Sequence, residues 1–297
     1  MALSIRQREA LRRLPGYVTN PLAVRYRSAR GIEQKHRIGD VEITLPPDHS
    51  LPFYQRRDPT YDPYAIPLLA AVAEVPRTVT VIDVGANVGD TAAAVLTSSP
   101  TTKVISVEGA ETFLPYLRRN LAPYADRARV VEGFAGPIGQ AVTFERTGST
   151  GRFRPSSEAD GPDAWVTPES LLAMVEPDAF VVWKSDIDGY DVHLLADHWQ
   201  SIDPRCDVVW FEYDTPRTLG DRGDVERLAD QIAASERALL VYDNIGRLML
   251  RLPPGDGQAL VQLSAWLNRQ YEGHITVPYL DVWALTPTAM ELIAPAL

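Results

Sequence analysis

Residues 79–90 constrain the fold of this chain more than any other segment. They read VTVIDVGANVGD. The β-branched run before Gly85 is nearly continuous, which is typical of a strand buried on both faces of a parallel sheet. Gly85 and Gly89 let the backbone turn sharply and let a ligand approach it. Alanines at 92–94 then begin a helix whose N-terminus carries unpaired N–H groups and a partial positive charge. The segment predicts a nucleotide-type site.

The spacing of the glycines helps to distinguish a dinucleotide site from other nucleotide sites. A dinucleotide site needs the pattern G-x-G-x-x-G, whose second glycine lets the backbone touch a pyrophosphate. Asn87 occupies that second position, so the pattern becomes G-x-x-x-G. S-adenosylmethionine (SAM) has no phosphate and needs room only for its methionine part and its ribose, so the turn favours SAM. The residues expected to bind the methionine end are Asp83, Gly85, Asn87, Gly89 and Asp90.

An acid follows the next predicted strand. Residues 103–107 (KVISV) end at Glu108. An acidic residue about 20 positions after a glycine turn commonly binds ribose hydroxyls, so Glu108 is the predicted ribose ligand. Phe134 and Ala135, after the third strand, are expected to border the adenine. The alternative is a βαβ unit in which the glycines only turn the chain.

Beyond this segment, apolar runs alternate with helical patterns, as in a doubly wound domain. We predict an α/β fold with a Rossmann-like, doubly wound, seven-stranded sheet. The predicted strands are 78–84, 103–107, 128–133, 179–185, 207–213, 238–243 and 278–285. The helices between them are predicted to start near Thr91, Thr112, Pro168, Tyr190, Asp224 and Gln258.

The first part of the chain departs from this alternation. Residues 1–14 fit a short amphipathic helix and residues 41–45 fit a strand. The proline- and tyrosine-rich stretch 51–64 cannot stay regular for long. We therefore predict an N-terminal basic and irregular extension, residues 1–65, and a SAM-binding domain, residues 66–297. The extension would pack on the domain, cap its substrate, or serve as an arm between subunits.

Two further segments lie outside the main alternation. A strand is predicted at 141–146, after the third core strand. Residues 147–164 are rich in Gly, Ser and Pro, and we expect a mobile loop there. Loops of this length inside compact domains are often lids or binding loops.

Composition excludes some functions. The chain of 297 residues has a formal net charge of −10 and one cysteine, Cys206. Nucleic acid is not an expected partner, because phosphate binding needs a basic surface. No apolar run approaches the ~20 residues that span a bilayer, and the N-terminus lacks the apolar core of a secretory signal. A lone cysteine forms no intrachain disulfide and suits a reducing compartment, so we expect a cytoplasmic protein.

Basic residues nevertheless crowd the first forty positions. They fit a solvated helix, or an arm packed on the acidic body of the same or a partner subunit. The alternative is a surface that recruits an anionic substrate or carrier.

Polar residues end the fourth and fifth predicted strands. Residues 184–191 read KSDIDGYD, and the fifth strand ends near Glu212. Ligands of open α/β sheets lie beyond the carboxyl ends of the strands, so these side chains should face the site. Converging carboxylates repel one another unless a positive group lies among them. That group would be the SAM sulfonium and amine, Lys184, or a divalent ion.

The catalytic candidates come from the same segment. Asp186 or Asp188 would act as general base toward a hydroxyl, or His193 would, because its pKa is nearest to neutrality. Packing or capping is the alternative for His193. Lys184 either takes part in catalysis or positions Asp186 or Glu212. Oxygen ligands at two strand ends are compatible with Mg²⁺, but a metal is not favoured and no metal ligand is assigned.

With these motifs in place, the chain resembles the FkbM family of SAM-dependent methyltransferases. The resemblance covers roughly residues 78–285. It rests on VIDVGANVGD at 81–90, VEGAETFLPYLRRN at 107–120, KSDIDGYD at 184–191 and YDNIG at 242–246. Two features depart from the family pattern. Gly109 replaces the proline that usually follows the acid, and Asp188 and Asp191 replace glutamates.

The resemblance implies a class I methyltransferase fold and O-methylation. The expected acceptor is a hydroxyl of a small molecule, or of a carrier-linked sugar or natural product, and a homo-oligomer is compatible with an N-terminal arm. Two alternatives stay open. One is a catalytically inactive SAM-fold protein that serves in binding or assembly, and the other is an NAD-dependent dehydrogenase, which Asn87 disfavours.

Overall fold

The computed structural model describes residues 21–136, 142–155, 165–218 and 222–297. The predicted helix at 1–14 lies outside these ranges. The helices are α1 (Pro21–Arg30), α2 (Leu51–Arg57), α3 (Ala65–Ala73), α4 (Asp90–Ser98), α5 (Leu114–Leu121), α6 (Pro168–Leu172), α7 (Asp191–Ile202), α8 (Arg222–Ala234), α9 (Ala259–Gln270) and α10 (Pro287–Ile293). The strands are β1 (Gln34–Ile38), β2 (Val41–Leu45), β3 (Val79–Val84), β4 (Lys103–Glu108), β5 (Ala128–Glu132), β6 (Phe134–Ala135), β7 (Val142–Thr147), β8 (Thr150–Pro155), β9 (Trp165–Val166), β10 (Phe180–Ser185), β11 (Val208–Tyr213), β12 (Ala238–Asp243), β13 (Leu248–Leu252) and β14 (Leu280–Leu285).

The main sheet has eight strands in the order β13-β12-β14-β11-β10-β3-β4-β5. The five strands from β11 to β5 in that order are parallel neighbours, while β14 runs antiparallel between β11 and β12. The connections between the parallel strands carry helices. The predicted Rossmann-like, doubly wound α/β fold is therefore confirmed.

The predicted strand count of seven is wrong, because β13 adds an eighth strand at one edge. It pairs antiparallel with β12 across the turn at 244–247. Its sequence, LMLRL, lacks the alternation that would mark a strand, and its three central residues are exposed. All seven predicted strands are present in the sheet, and only their ends differ.

Helices cover both faces of the sheet because strand side chains alternate between faces. Val79 and Val81 of β3 face a core that contains residues of α3, α4, α5 and α10. Ile82 and Val84 face a second core that contains residues of α6, α7, α8 and α9. This double burial explains the β-branched composition of β3.

The β1–β2 hairpin packs on the helices next to the glycine turn. Asn120 of α5 accepts a hydrogen bond from Thr44 N at 2.8 Å and donates to Thr44 O at 2.9 Å. The same side-chain amide donates to Val88 O at 2.8 Å. One buried asparagine therefore joins the hairpin, a helix and the turn.

A second hairpin corrects the expectation of a loop at 147–164. The predicted strand at 141–146 is present as β7, but it pairs antiparallel with β8, which occupies the start of the expected loop. Gly148 and Ser149 form the connection, and Gly148 has a φ of +64°. Two-residue connections with a positive φ are typical of tight hairpins. Residues 156–164 lie outside the described ranges.

Candidate active site

A cavity lies at the carboxyl ends of β3, β4 and β10. Its volume is about 60 Å³. Seven of the twelve predicted site residues line it: Gly85, Asn87, Glu108, Phe134, Ala135, Asp186 and Asp188. No lysine or arginine is among the lining residues that the structure describes.

Gly85 permits the close approach of two strand ends. Its φ is +80°, and a Cβ at this position would lie 2.1 Å from the carbonyl oxygen of Asp186. The backbone beyond β10 therefore rests directly on the turn. Gly89 has a φ of +81°, and a Cβ there would lie 2.7 Å from Leu117 Cδ1 in α5. The left-handed backbone therefore favours glycine at 89, whereas Gly85 borders the cavity.

Asn87 ties three elements to the turn. Its backbone N–H donates to Glu108 Oε2 at 2.7 Å, and its Nδ2 donates to Ser149 O in the β7–β8 hairpin at 2.8 Å. His49 Nδ1 accepts from Leu51 N, so His49 Nε2–H donates to Asn87 Oδ1 at 3.2 Å. Burial lowers the pKa of His49 to about 4, which keeps the ring neutral.

Glu108 is the last residue of β4, and its carboxylate faces the glycine turn at 85–89. Its second oxygen, Oε1, accepts from Ala110 N at 2.6 Å. Burial raises the pKa of Glu108, and the N–H groups of Ala110 and Asn87 oppose that rise. A carboxylate has about four lone-pair positions. The N–H groups of Ala110, Asn87 and Gly109 contact the carboxylate, so at least one position remains available for a ligand hydroxyl.

The position of the Phe134 ring explains why residue 109 is a glycine. A Cβ on Gly109 would lie 2.5 Å from the Phe134 ring, so a proline at 109 would collide with it. Phe134 in turn contacts Phe144 and Phe153 of the hairpin, with ring centroids 4.9 and 5.1 Å apart. The wall next to Glu108 is therefore aromatic.

Asp186 and Asp188 follow β10 and differ in their surroundings. Asp188 has a φ of +52°, and its Oδ2 accepts from Gly151 N of the hairpin at 3.0 Å. The Asp186 side chain is 55% exposed, and its Oδ2 lies 3.9 Å from Lys184 Nζ. Asp188 therefore holds the β7–β8 hairpin, whereas Asp186 borders the cavity with an exposed side chain.

Lys184 and Asp83 form a buried ion pair beside the cavity. Lys184 Nζ donates to Asp83 Oδ1 at 2.9 Å, and the two side chains are 6% and 1% exposed. Burial alone would lower the pKa of Lys184, but Asp83 and then Asp186 raise it above its usual value. Lys184 therefore stays protonated. These two predicted residues do not line the cavity itself.

A cluster of acidic and tyrosine side chains, which we call the acidic cleft, adjoins the cavity at Asp186. Its acidic members are Asp62, Asp90, Asp186, Glu212 and Asp281, and its tyrosines are Tyr61, Tyr64 and Tyr279. Burial raises the pKa of Asp90 to about 6 and that of Asp281 to about 7. Burial, and then the nearby Asp90, raises the pKa of Asp62 well above its usual value. Burial, and then Asp186, does the same to the pKa of Glu212.

Residues 60–64 cover the acidic cleft and are held by the YDNIG turn. Thr60 Oγ1 donates to Ile245 O at 2.7 Å. The rings of Tyr64 and Tyr242 lie 4.8 Å apart. A Cβ on Gly246, whose φ is +79°, would lie 2.5 Å from the Tyr64 ring. This contact accounts for the glycine in that motif.

The structure does not bring His193 together with the other candidates. Its Nδ1 lies 2.8 Å from Asp224 Oδ2, and its Nε2 lies 3.4 Å from Asp197 Oδ2. Asp224 belongs to α8, so the imidazole lies between α7 and α8. Arg227 also pairs with both carboxylates. His193 is absent from the residues that line the cavity.

Sequence reasoning missed most of the acidic cleft. Asp281 interrupts the apolar strand LDVWAL, and that interruption is a signal that an acid faces a polar pocket. Tyr61, Asp62 and Tyr64 lie in the stretch that the sequence marks only as irregular. Their position over the sheet depends on long-range contacts with β12 and β14, which local patterns do not reveal.

Comparisons with known proteins give distant likenesses only. No family model matches the chain, and no curated protein matches it. The chain is similar to a precorrin-6y C5,15-methyltransferase from Geobacter metallireducens, at 12% identity and a TM-score of 0.38, over 75% of this chain and 87% of that one. It is also similar to a putative O-methyltransferase from Klebsiella pneumoniae, at 11% identity and a TM-score of 0.42, over 75% and 79% of the two chains.

A third similar structure is an O-methyltransferase from Bacillus cereus in complex with SAH. It is 12% identical, with a TM-score of 0.40, over 75% of this chain and 80% of that one. Likenesses of this size carry no conclusion about the activity or the substrate of this chain.

Proposed function

We propose that this protein is a SAM-dependent O-methyltransferase that acts on a hydroxyl of a small molecule or of a carrier-linked sugar or natural product. The observation that carries the proposal is the cavity bordered by Gly85, Glu108 and Asp186. It combines a glycine whose backbone a ligand can approach, a carboxylate with spare acceptor capacity, and an exposed carboxylate next to the acidic cleft.

The residues of the cavity fit SAM better than a dinucleotide. Glu108 would bind the ribose hydroxyls, Phe134 and Ala135 would border the adenine, and Gly85 and Asn87 would contact the methionine end. A pyrophosphate would need positive charge or a second glycine at the turn. The described lining has no basic residue, and Asn87 stands at that position.

The catalytic step follows from the position of Asp186. SAM supplies an electrophilic methyl group, and the acceptor oxygen must lie in line behind it. Holding that oxygen in place supplies most of the acceleration. Asp186 would accept the proton that the hydroxyl loses, which adds a smaller factor. Lys184 would position Asp186 and balance the charge of Asp83.

The predicted division of the chain bears on the acceptor. The described part of the predicted extension, residues 1–65, includes the segment that covers the acidic cleft. We propose that this segment caps the acceptor, so that the acceptor lies between residues 60–64 and the sheet.

Calorimetric titration tests the cofactor assignment. The wild type should bind SAM and should not bind NADH. Glu108→Ala should weaken SAM binding more than tenfold, which corresponds to ~1.4 kcal/mol or more. Glu111→Ala, an exposed neighbour, is the matched control and should bind like the wild type. Since alanine leaves two N–H groups without their acceptor, Glu108→Gln provides a milder variant. Near-normal SAM affinity in both Glu108 variants would contradict the assignment.

A further inference from the structure

The acidic cleft places two carboxyl groups side by side on the sheet. In the pairing of β11 with β14, Glu212 lies opposite Asp281. In the pairings of β10, Lys184 lies opposite both Asp83 and Trp210. Because strand side chains alternate between faces, all of these side chains share the face that Tyr64 covers.

Among the described residues, the side chains on this face of the strand ends, which we call the row, carry more negative than positive charge. Lys184 is the cation of the row, and its Nζ lies 2.9 Å from Asp83 and 3.9 Å from Asp186. Asp281 accepts hydrogen bonds from the Tyr64 hydroxyl and the Trp210 indole, which are neutral donors. Among the described residues, no lysine, arginine or histidine forms an ion pair with Glu212 or Asp281.

Glu212 gives an independent indication of a ligand. The residue is only 7% exposed, and its Oε2 has no hydrogen-bond partner in the described part of the chain. A buried polar atom without a partner is costly. A bound donor with a positive charge would satisfy Oε2 and would favour the ionised forms of both Glu212 and Asp281.

The expected position of SAM places its ammonium group nearer to other acids of the row. Neighbouring strands lie about 4.8 Å apart, and β10 separates β3 from β11. The backbone of β11 is therefore about 10 Å, and that of β14 about 14 Å, from the strand that ends at the glycine turn. An ammonium group bound at that turn would lie nearer to Asp83 and Asp90 than to Asp281.

A single metal ion also fits the acidic cleft poorly. Within the described ranges, the group of three acidic or imidazole side chains whose atoms converge within 4.8 Å is His193, Asp197 and Asp224, on the other side of the sheet. The acids of the cleft are spread out and interleaved with aromatic rings. Aromatic faces attract organic cations, whereas Mg²⁺ prefers oxygen ligands and water in a compact octahedron.

We propose that the methyl acceptor carries a protonated amine, which binds between Glu212 and Asp281 beneath Tyr64. This inference rests on the proposed function. The amine holds the acceptor in the acidic cleft and leaves a hydroxyl of the same molecule at Asp186. The acceptor class is an amine-bearing polyol, such as an amino sugar or an aminocyclitol.

Matched pairs of probes test the proposal. Amino sugars and aminocyclitols are titrated against the wild type saturated with S-adenosylhomocysteine, each beside its N-acetylated form, which lacks the charge. At least one amine should bind tenfold or more tightly than its acetylated partner. Glu212→Gln and Asp281→Asn should each reduce that preference at least fivefold, while Glu236→Gln, at an exposed position, should keep it.

The measurements separate a failure of the amine proposal from a failure of the proposed function. Thermal melting and the affinity for S-adenosylhomocysteine show whether a variant is folded. If one of Glu212→Gln and Asp281→Asn does not fold, the other is sufficient for the test. Equal binding within every pair, absence of binding by every amine, or a preference that survives in a folded cleft variant would overturn the amine proposal alone. If the wild type does not bind S-adenosylhomocysteine at all, the proposed function is overturned and this inference with it.

Discussion

At the scale of single residues, Gly85 makes the most demanding contact. Its missing side chain allows the carbonyl of Asp186 to rest on the turn, and its φ of +80° disfavours any other residue. The sequence predicts Gly85 as a ligand-site residue, and the structure places it at the wall of the cavity. The identity of the contacting atom could not be predicted, because Asp186 follows a strand that lies about a hundred positions further along the chain.

Gly85→Ala should abolish SAM binding. The added Cβ would lie 2.1 Å from Asp186 O, so the strand ends must separate. The control is Gly255→Ala, which has a φ of +92° and open space around the Cβ. It should lose only ~1–2 kcal/mol of unfolding free energy, from the left-handed backbone alone, and should bind SAM normally. Calorimetry and urea unfolding of both variants check this, and equal SAM affinity in the two would contradict it.

Asp191 should make the stability of the protein depend on pH. It is fully buried, and burial, followed by Asp186, raises its pKa to about 8. In the unfolded chain its pKa is ~3.9. As the pH rises from about 4 to about 8, the unfolded state loses this proton while the native state keeps it, so stability falls across that window.

Asp191→Asn removes this titration while its amide oxygen can still accept from Ile187 N. Urea unfolding at pH 5 and pH 8 should show a smaller loss of stability in the variant than in the wild type. Asp178→Asn, at an exposed site, should lose as much as the wild type. An unchanged loss in Asp191→Asn would show that the group is ionised in the native state.

At the scale of elements, the β7–β8 hairpin has the greatest effect on the site. It supplies Phe144, Gly151 and Phe153 to the cavity and is bonded to both Asn87 and Asp188. The cavity volume of about 60 Å³ is far below the ~300 Å³ or more of typical small-molecule sites. We therefore expect the hairpin to move when the proposed cofactor binds.

Hydrogen exchange should detect that movement. Saturation with S-adenosylhomocysteine should change exchange rates in residues 142–155. The β1–β2 hairpin at 34–45 is a control of similar type that does not line the cavity, and its rates should stay constant. Unchanged rates in 142–155 at saturation would mean that the cofactor binds without displacing the hairpin.

Elements were predictable to different degrees. The buried parallel strands were predicted well, because β-branched runs are a strong local signal. The β8 and β13 strands were not predicted, since one lies in a Gly- and Ser-rich segment and the other is an exposed edge strand. Their pairing is fixed by tight turns rather than by apolar alternation.

At the scale of the whole molecule, the sheet brings the cavity and the acidic cleft to the two sides of Asp186. The cavity lies toward β4 and the acidic cleft toward β14. The cavity side was predictable from motifs that lie close to one another in the sequence. The cleft side combines residues 60–64 with β11 and β14, so it depends on topology. Among the described helices, none is long and apolar enough to cross a membrane.

A crystal structure with bound S-adenosylhomocysteine would test the proposed cofactor site. We expect the ribose hydroxyls on the Glu108 carboxylate, the adenine beside Phe134 and Ala135, and the sulfur directed past Asp186 toward the acidic cleft. A ligand whose ribose lies away from Glu108, or whose sulfur faces away from the cleft, would contradict it.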